Sequence, residues 1–193
     1  MSKIYSPKKG VTAGTIGGIV GGVVMLVPMM LMMSMMNLPA DLFPMLIGMA
    51  MNQMQQSASI SGIGVHLVTS LIIGVIFGAV ISSSKLSVTS FKKGIPLGIG
   101  AGIISFVVLF LPMSMEVFPP TMMQLMQMMN PEASQEMIMQ QLQGMQPMVL
   151  AGSFVSHIIY GIVLGVVSSA ILKKSKNKAY NFDSVEEVFD EGK

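Results

Sequence analysis

Charged side chains are absent from four long stretches of the chain: Val11–Ala40, Leu42–Ser84, Gly94–Met115 and Met137–Leu172. Each contains an apolar run of the roughly 20 residues that a helix needs to cross the hydrocarbon of a bilayer. The pattern predicts four transmembrane helices at about Val11–Met33, Ser61–Ser82, Gly94–Met115 and Val149–Leu172. The expected fold is therefore an all-α integral membrane protein.

The apolar pattern also repeats. Lys8-Lys9-Gly10-Val11 opens a run containing Gly14 and Gly18 that ends at Val27-Pro28-Met29. Lys92-Lys93-Gly94-Ile95 opens the matching run, with Gly98 and Gly102, that ends at Leu111-Pro112-Met113. An acidic-aliphatic-Phe-Pro tetrapeptide follows in each half, Asp41-Leu42-Phe43-Pro44 and Glu116-Val117-Phe118-Pro119. Each half then has a Met/Gln-rich stretch and a second apolar run that begins near a histidine. The two runs align as His66 through Gly74 against His157 through Gly165. These landmarks predict two tandem helical hairpins of parallel orientation, related by an axis along the membrane normal. The divisions are residues 1–10, an N-terminal segment; 11–86, repeat 1; 87–172, repeat 2; and 173–193, a charged tail. Small residues recur every fourth position in the spans (Gly10/Gly14/Gly18/Gly22, Gly94/Gly98/Gly102, Gly74/Gly78, Gly161/Gly165). In lipid such seams let helix backbones approach closely, within one chain or between copies of it.

Lysine placement sets the expected topology. All 11 basic residues are lysines, and in a four-span arrangement they fall on one side. Basic residues flanking spans stay cytoplasmic, so both termini are expected inside, in a plasma-membrane protein. The apolar run after Met1–Lys9 is too long for a signal-peptide core and recurs later in the chain, so it is expected to be a retained span. In the tail, Lys173–Lys178 is basic and suited to anionic headgroups, and Ser184-Val185-Glu186-Glu187 has capping-box spacing.

Composition narrows the chemistry. With 52% hydrophobic and only 10% charged residues, the chain lacks the polar surface of a soluble domain. There is no cysteine, so thiolate metal sites and thiol nucleophiles are excluded. A net charge of +2 gives no basis for nucleic-acid binding. No phosphate loop, His-Glu-x-x-His or Ser/His/Asp set is present, and the protein is not expected to be an enzyme.

The one chemical lead is 23 methionines, which apart from Met1 lie in Met25–Met54 or Met113–Met148, the predicted external side of both halves. Thioethers are neutral soft ligands that select Cu(I). Ionisable groups within spans default to functional candidates, and His66 and His157 are the two. The candidate metal set is His66 and His157 as inner ligands, Met25, Met29, Met33 and Met113 as an upper site, and Met122, Met126 and Met129 as an outer gathering row. In composition and layout this resembles copper-uptake proteins, and Cu(I) is the expected ion. The competing reading treats methionine as flexible apolar filler on external amphipathic helices lying in the membrane interface. The protein would then be a non-catalytic accessory or scaffold subunit of a larger membrane complex, or a homo-oligomer, and the histidines packing residues. Transport of an organic solute is a third class, requiring a dimer of four-span chains.

Overall fold

A computed structural model describes residues 6–83, 86, 88 and 90–190, with side chains through residue 174. Its elements are α1 (Pro7–Met35), α2 (Leu42–Ala50), α3 (Gln55–Ile81), α4 (Phe91–Ser105), α5 (Phe118–Met129) and α6 (Gln135–Asp190). Two π-helical turns, Phe106–Phe110 and Met113–Val117, join α4 to α5. No strand occurs among the described residues. Among the described residues, four helical stretches are long and apolar enough to cross a membrane: Pro7–Met35, Gln55–Ile81, Phe91–Met129 and Gln135–Lys174.

The helix pairs α1/α3 and α4/α6 are antiparallel and close on glycine. A Cβ on Gly14 would strike the Gly74 carbonyl and the backbone of Gly78; one on Gly98 would strike the Gly161 carbonyl and the backbone of Gly165. Water is absent in lipid, so each helix keeps its own backbone bonds and glycine brings little risk of unwinding. What glycine gains is backbone contact, the main source of helix association where apolar side chains find lipid as good a neighbour as protein. Ser82 and Ser169 close the seams at one end, each hydroxyl donating to the carbonyl four residues back, Gly78 and Gly165, at 2.6 Å. Lys8, Lys9, Lys92, Lys93, Lys173 and Lys174 flank this end. Lys173 Nζ stands 5.8 Å over the Phe91 ring.

A third interface joins the pairs. Gly17 of α1 faces Leu164 and Ser168 of α6, Gly21 faces the Tyr160 ring, and the Ser168 hydroxyl donates to the Ala13 carbonyl at 3.2 Å. The mirror contact is missing: α3 and α4 barely touch. Sequence explains the asymmetry. Counting from Gly94 as Gly17 and Gly21 count from Gly10, α4 offers Ala101 and Ser105, so the glycine pair that α1 brings to α6 is not repeated there.

At the methionine end the halves differ. Helix α1 stops at a Schellman turn: Asn37 takes φ 56°, Leu38 N–H donates to Met33 O at 3.0 Å, and Asn37 N–H to Ser34 O at 3.1 Å. Asn52 (φ 59°) repeats the motif after α2, with Gln53 N–H bonded to Gly48 O at 3.1 Å. Asparagine is among the few L-residues that accept this left-handed conformation. The two caps fold α2 back along α3, where Gly48 meets the Ala58 carbonyl and Gly62 meets the Pro44 carbonyl. The Ser59 hydroxyl donates to Asp41 Oδ2 at 2.6 Å, fastening the entry to α2.

The second half has no such break, and its helix runs on from Phe91 to Met129, 39 residues. The prolines explain the π-turns. Pro112, Pro119 and Pro120 have no N–H for the carbonyls of Val108, Met115 and Glu116, and their rings crowd those carbonyls. Each widened turn closes on an i→i−5 bond, Leu111 N–H to Phe106 O and Phe118 N–H to Met113 O.

The Met/Gln-rich segments pack as part of the helical body: α2 is buried against α3 and α5, because the Asn37 turn redirects the chain. Helix α5 continues the third span. At 1.5 Å per residue that 39-residue stretch is about 58 Å long against a hydrocarbon core of about 30 Å. Helix α5 and the start of α6 therefore stand beyond one bilayer thickness measured from Lys93. Pro28 sits inside α1. In the tail, the α6 backbone is helical to Asp190. The Ser184–Glu187 side chains, to which the capping-box reading belongs, lie outside the described residues.

Candidate functional site

The gap between α3 and α4 is a cavity of 110 Å³ beneath α2. Its polar lining is His66, Thr69 and Ser70 from α3, Ser105 from α4, and His157 and Tyr160 from α6. Met25 and Met29 of α1 and Met113 of the second π-turn line it too. Five of the nine residues singled out from sequence thus meet in one place. Met33 and Met122 line a different, outer cavity. Met126 and Met129 line neither, and Met129 is exposed on α5. So the expected four-methionine upper site is divided, Met33 having turned toward α2 and α6, and the outer row does not face the cavity.

The backbone geometry holds the two histidines differently. His66 Nε2 lies 3.0 Å from the Gly22 carbonyl across the α1/α3 seam. His157 Nδ1 lies 2.8 Å from the Ser153 carbonyl one turn back on α6. A carbonyl only accepts, so each of these nitrogens carries the proton. In a neutral ring the other nitrogen, Nδ1 of His66 and Nε2 of His157, then holds a lone pair. His157 is buried and wedged against Phe106 and Phe110, with ring centroids at 5.5 and 5.6 Å.

The histidines do not occupy matched positions, as the sequence alignment had them. Gly18 packs on the Ser70 carbonyl and the Gly74 backbone, and Gly102 packs on the His157 carbonyl and the Gly161 backbone. Relative to these glycines His157 stands where Ser70 stands, and His66 is one helical turn farther along. The cavity brings the two rings together from unlike positions.

Sequence reading missed the rest of the lining. The Tyr160 hydroxyl donates to the Ser70 carbonyl at 3.1 Å and Ser105 Oγ to Ala101 O at 2.8 Å, so both hydroxyls are already engaged. Gly21 was the available signal for Tyr160, since only a residue without a side chain leaves room for the ring. Tyr160→Phe is expected to lower stability by about 0.6–1 kcal/mol, the usual worth of an interhelical bond in a membrane protein. A thermal-unfolding series in one detergent checks this, and an unchanged midpoint would remove the bond from the account.

Chemically the cavity offers thioethers, imidazole nitrogens and hydroxyls. No carboxylate lines it, and among the described residues no three His, Cys, Asp or Glu side chains cluster. Hard divalent cations require oxygen ligands in number, and nothing here would offset a double charge. A soft monovalent ion suits neutral nitrogen and sulfur.

The fold thus defines a class, an all-helical protein with four helices suited to spanning a membrane. No family profile, curated protein or solved structure matches the chain.

Proposed function

We propose that this is a small multi-pass membrane protein that binds or passes a soft metal ion, Cu(I), at the cavity between α3 and α4. The observation that carries the reading is the convergence of His66, His157, Met25, Met29 and Met113 on one cavity. Each ring has one nitrogen held as a donor to a backbone carbonyl. Metal-ligating histidines commonly show this arrangement, because the second bond fixes the tautomer and aims the lone pair. The test is anaerobic Cu(I) titration of the detergent-purified chain against a competing chelator, with Ag(I) as surrogate. Stoichiometric binding with nitrogen in the metal's X-ray absorption shell is expected. Weak, non-stoichiometric uptake would overturn the proposal.

The same reading places the site in a duplicated, outward-facing plasma-membrane protein. Alike glycine seams in the two helix pairs support duplication, and the lysines gathered at one end support cytoplasmic termini. The chain has no native cysteine, so single introduced thiols report cleanly. Ser57→Cys should react with an impermeant maleimide from outside intact cells, and Lys92→Cys only after permeabilisation. Equal labelling of both would refute the topology.

One observation favours the accessory-subunit reading. Met128, Met129, Met137 and Met139 are exposed where α5 and α6 project, and methionine suits adaptable contact surfaces. On that reading Met129→Gln with Met137→Gln would release the chain from a larger complex in native electrophoresis, and metal titration would show nothing.

A further inference from the structure

The histidine cavity has a neighbour. An outer cavity of 220 Å³ lies among α2, α5 and the first turns of α6. Four methionines line it, Met33 from α1, Met122 from α5, and Met139 and Met145 from α6, together with Gln143 and Gln146. The residues common to both linings are Phe43 and Phe118. Both are buried, and their rings pack edge to face with centroids 5.8 Å apart. Phe110 completes the cluster at 6.2 and 6.0 Å from them. Phe43 and Phe118 come from the acidic-aliphatic-Phe-Pro tetrapeptides, so the two halves of the chain each supply one side of the wall.

Methionine used purely as filler closes space; here four thioethers border space left open. The volume is several times the ~30 Å³ that one water molecule occupies in the liquid. Three rotatable bonds per methionine let sulfur atoms converge on an ion smaller than the cavity. The lining carries no charged group and no imidazole, so the donors that favour a soft cation here are the thioethers.

We infer that the outer cavity is a second soft-metal site, with sulfur-only ligation, and that the Phe43–Phe118 pair partitions it from the histidine site. The inference rests on the metal reading above and adds to it a separate capture point on the methionine side. Ions would enter among the thioethers and reach the histidines when the aromatic wall moves.

The experiment uses Ag(I) on the full chain in detergent, with bound metal counted by mass spectrometry and its shell read by X-ray absorption. The comparison variant is Met122→Leu/Met139→Leu/Met145→Leu, which keeps volume and apolarity while removing sulfur. Wild type should hold two tight ions and the variant one, with the nitrogen-containing shell retained. Phe118→Ala should keep both ions and speed release from the histidine site on the order of tenfold, about 1.4 kcal/mol off the barrier. Size-exclusion profiles and melting curves matching wild type confirm that each variant is folded. A triple Met→Leu variant that still binds two ions overturns the inference, as does a wild type whose single ion is lost only with the histidines. That last result would leave the proposed function standing, whereas a wild type that binds none would remove both.

Discussion

Gly98→Val is expected to prevent the second helix pair from assembling. A Cβ at Gly98 meets the Gly161 carbonyl and stands 2.8 Å from Gly165 N and 2.9 Å from its Cα. All three are backbone atoms, so no rotamer change relieves the contact. The helices must separate, and separation loosens Gly94 and Gly102 on the same seam. Overpacking by a methylene in a soluble core costs about 1–3 kcal/mol. Here the displaced partner is a whole helix and lipid gives no hydrophobic drive to re-dock it, so a loss of about 3 kcal/mol or more is expected. Fluorescence-detected size-exclusion after a temperature ramp should show aggregation or a collapsed melting point. Gly100→Val is the control on the same helix, because nothing lies within 4 Å of a Cβ there; it should melt within the small range of surface substitutions. Equal melting of both variants would mean that the glycine seam does not hold this pair together.

His66→Ala with His157→Ala is expected to lower Cu(I) and Ag(I) affinity on the order of 100-fold or more. Losing even a group that merely orients a metal ligand costs 10–100-fold, and removing two ligands exceeds that; 100-fold corresponds to about 2.7 kcal/mol. The single variants separate ligation from packing. His66→Ala also removes the bond to the Gly22 carbonyl across the α1/α3 seam, so some loss of thermal stability accompanies it. His157→Ala removes a bond within α6 and contacts with Phe106 and Phe110. The decisive readout is therefore the metal's coordination shell, in which nitrogen scattering disappears in the double variant. A folded double variant with unchanged affinity would place the ion elsewhere and end the proposal.

The histidine register shows where sequence reading stops. In helices with a small residue at every fourth position, sliding one seam by a turn again puts glycine opposite glycine. Aligning His66 with His157 sets Gly74 against Gly165 and satisfies the pattern. The packing instead sets Gly74 with Gly161 and Gly78 with Gly165. Periodicity alone does not separate these registers; the steric fit of Ser82 and Ser169 beside Gly10 and Gly94 does. The fold-back of α2 was more accessible. Asn37 and Asn52 are residues suited to left-handed caps, and they stand where the first half departs from the second.

Sequence by itself determined the number of long apolar helices, the lysine-flanked end and the glycine seams. These follow from composition along one dimension: a bilayer requires a certain apolar length, and close helices require small residues at helical spacing. Tertiary structure decided that α1 meets α6 while α3 and α4 stand apart, that α2 folds back over the opening, and that two histidines from unlike positions share a cavity. It also separated Met33 from Met25 and Met29, although all three lie on one helix. Such outcomes depend on which side chains collide when whole helices dock, a property of pairs of surfaces that no single stretch of sequence carries.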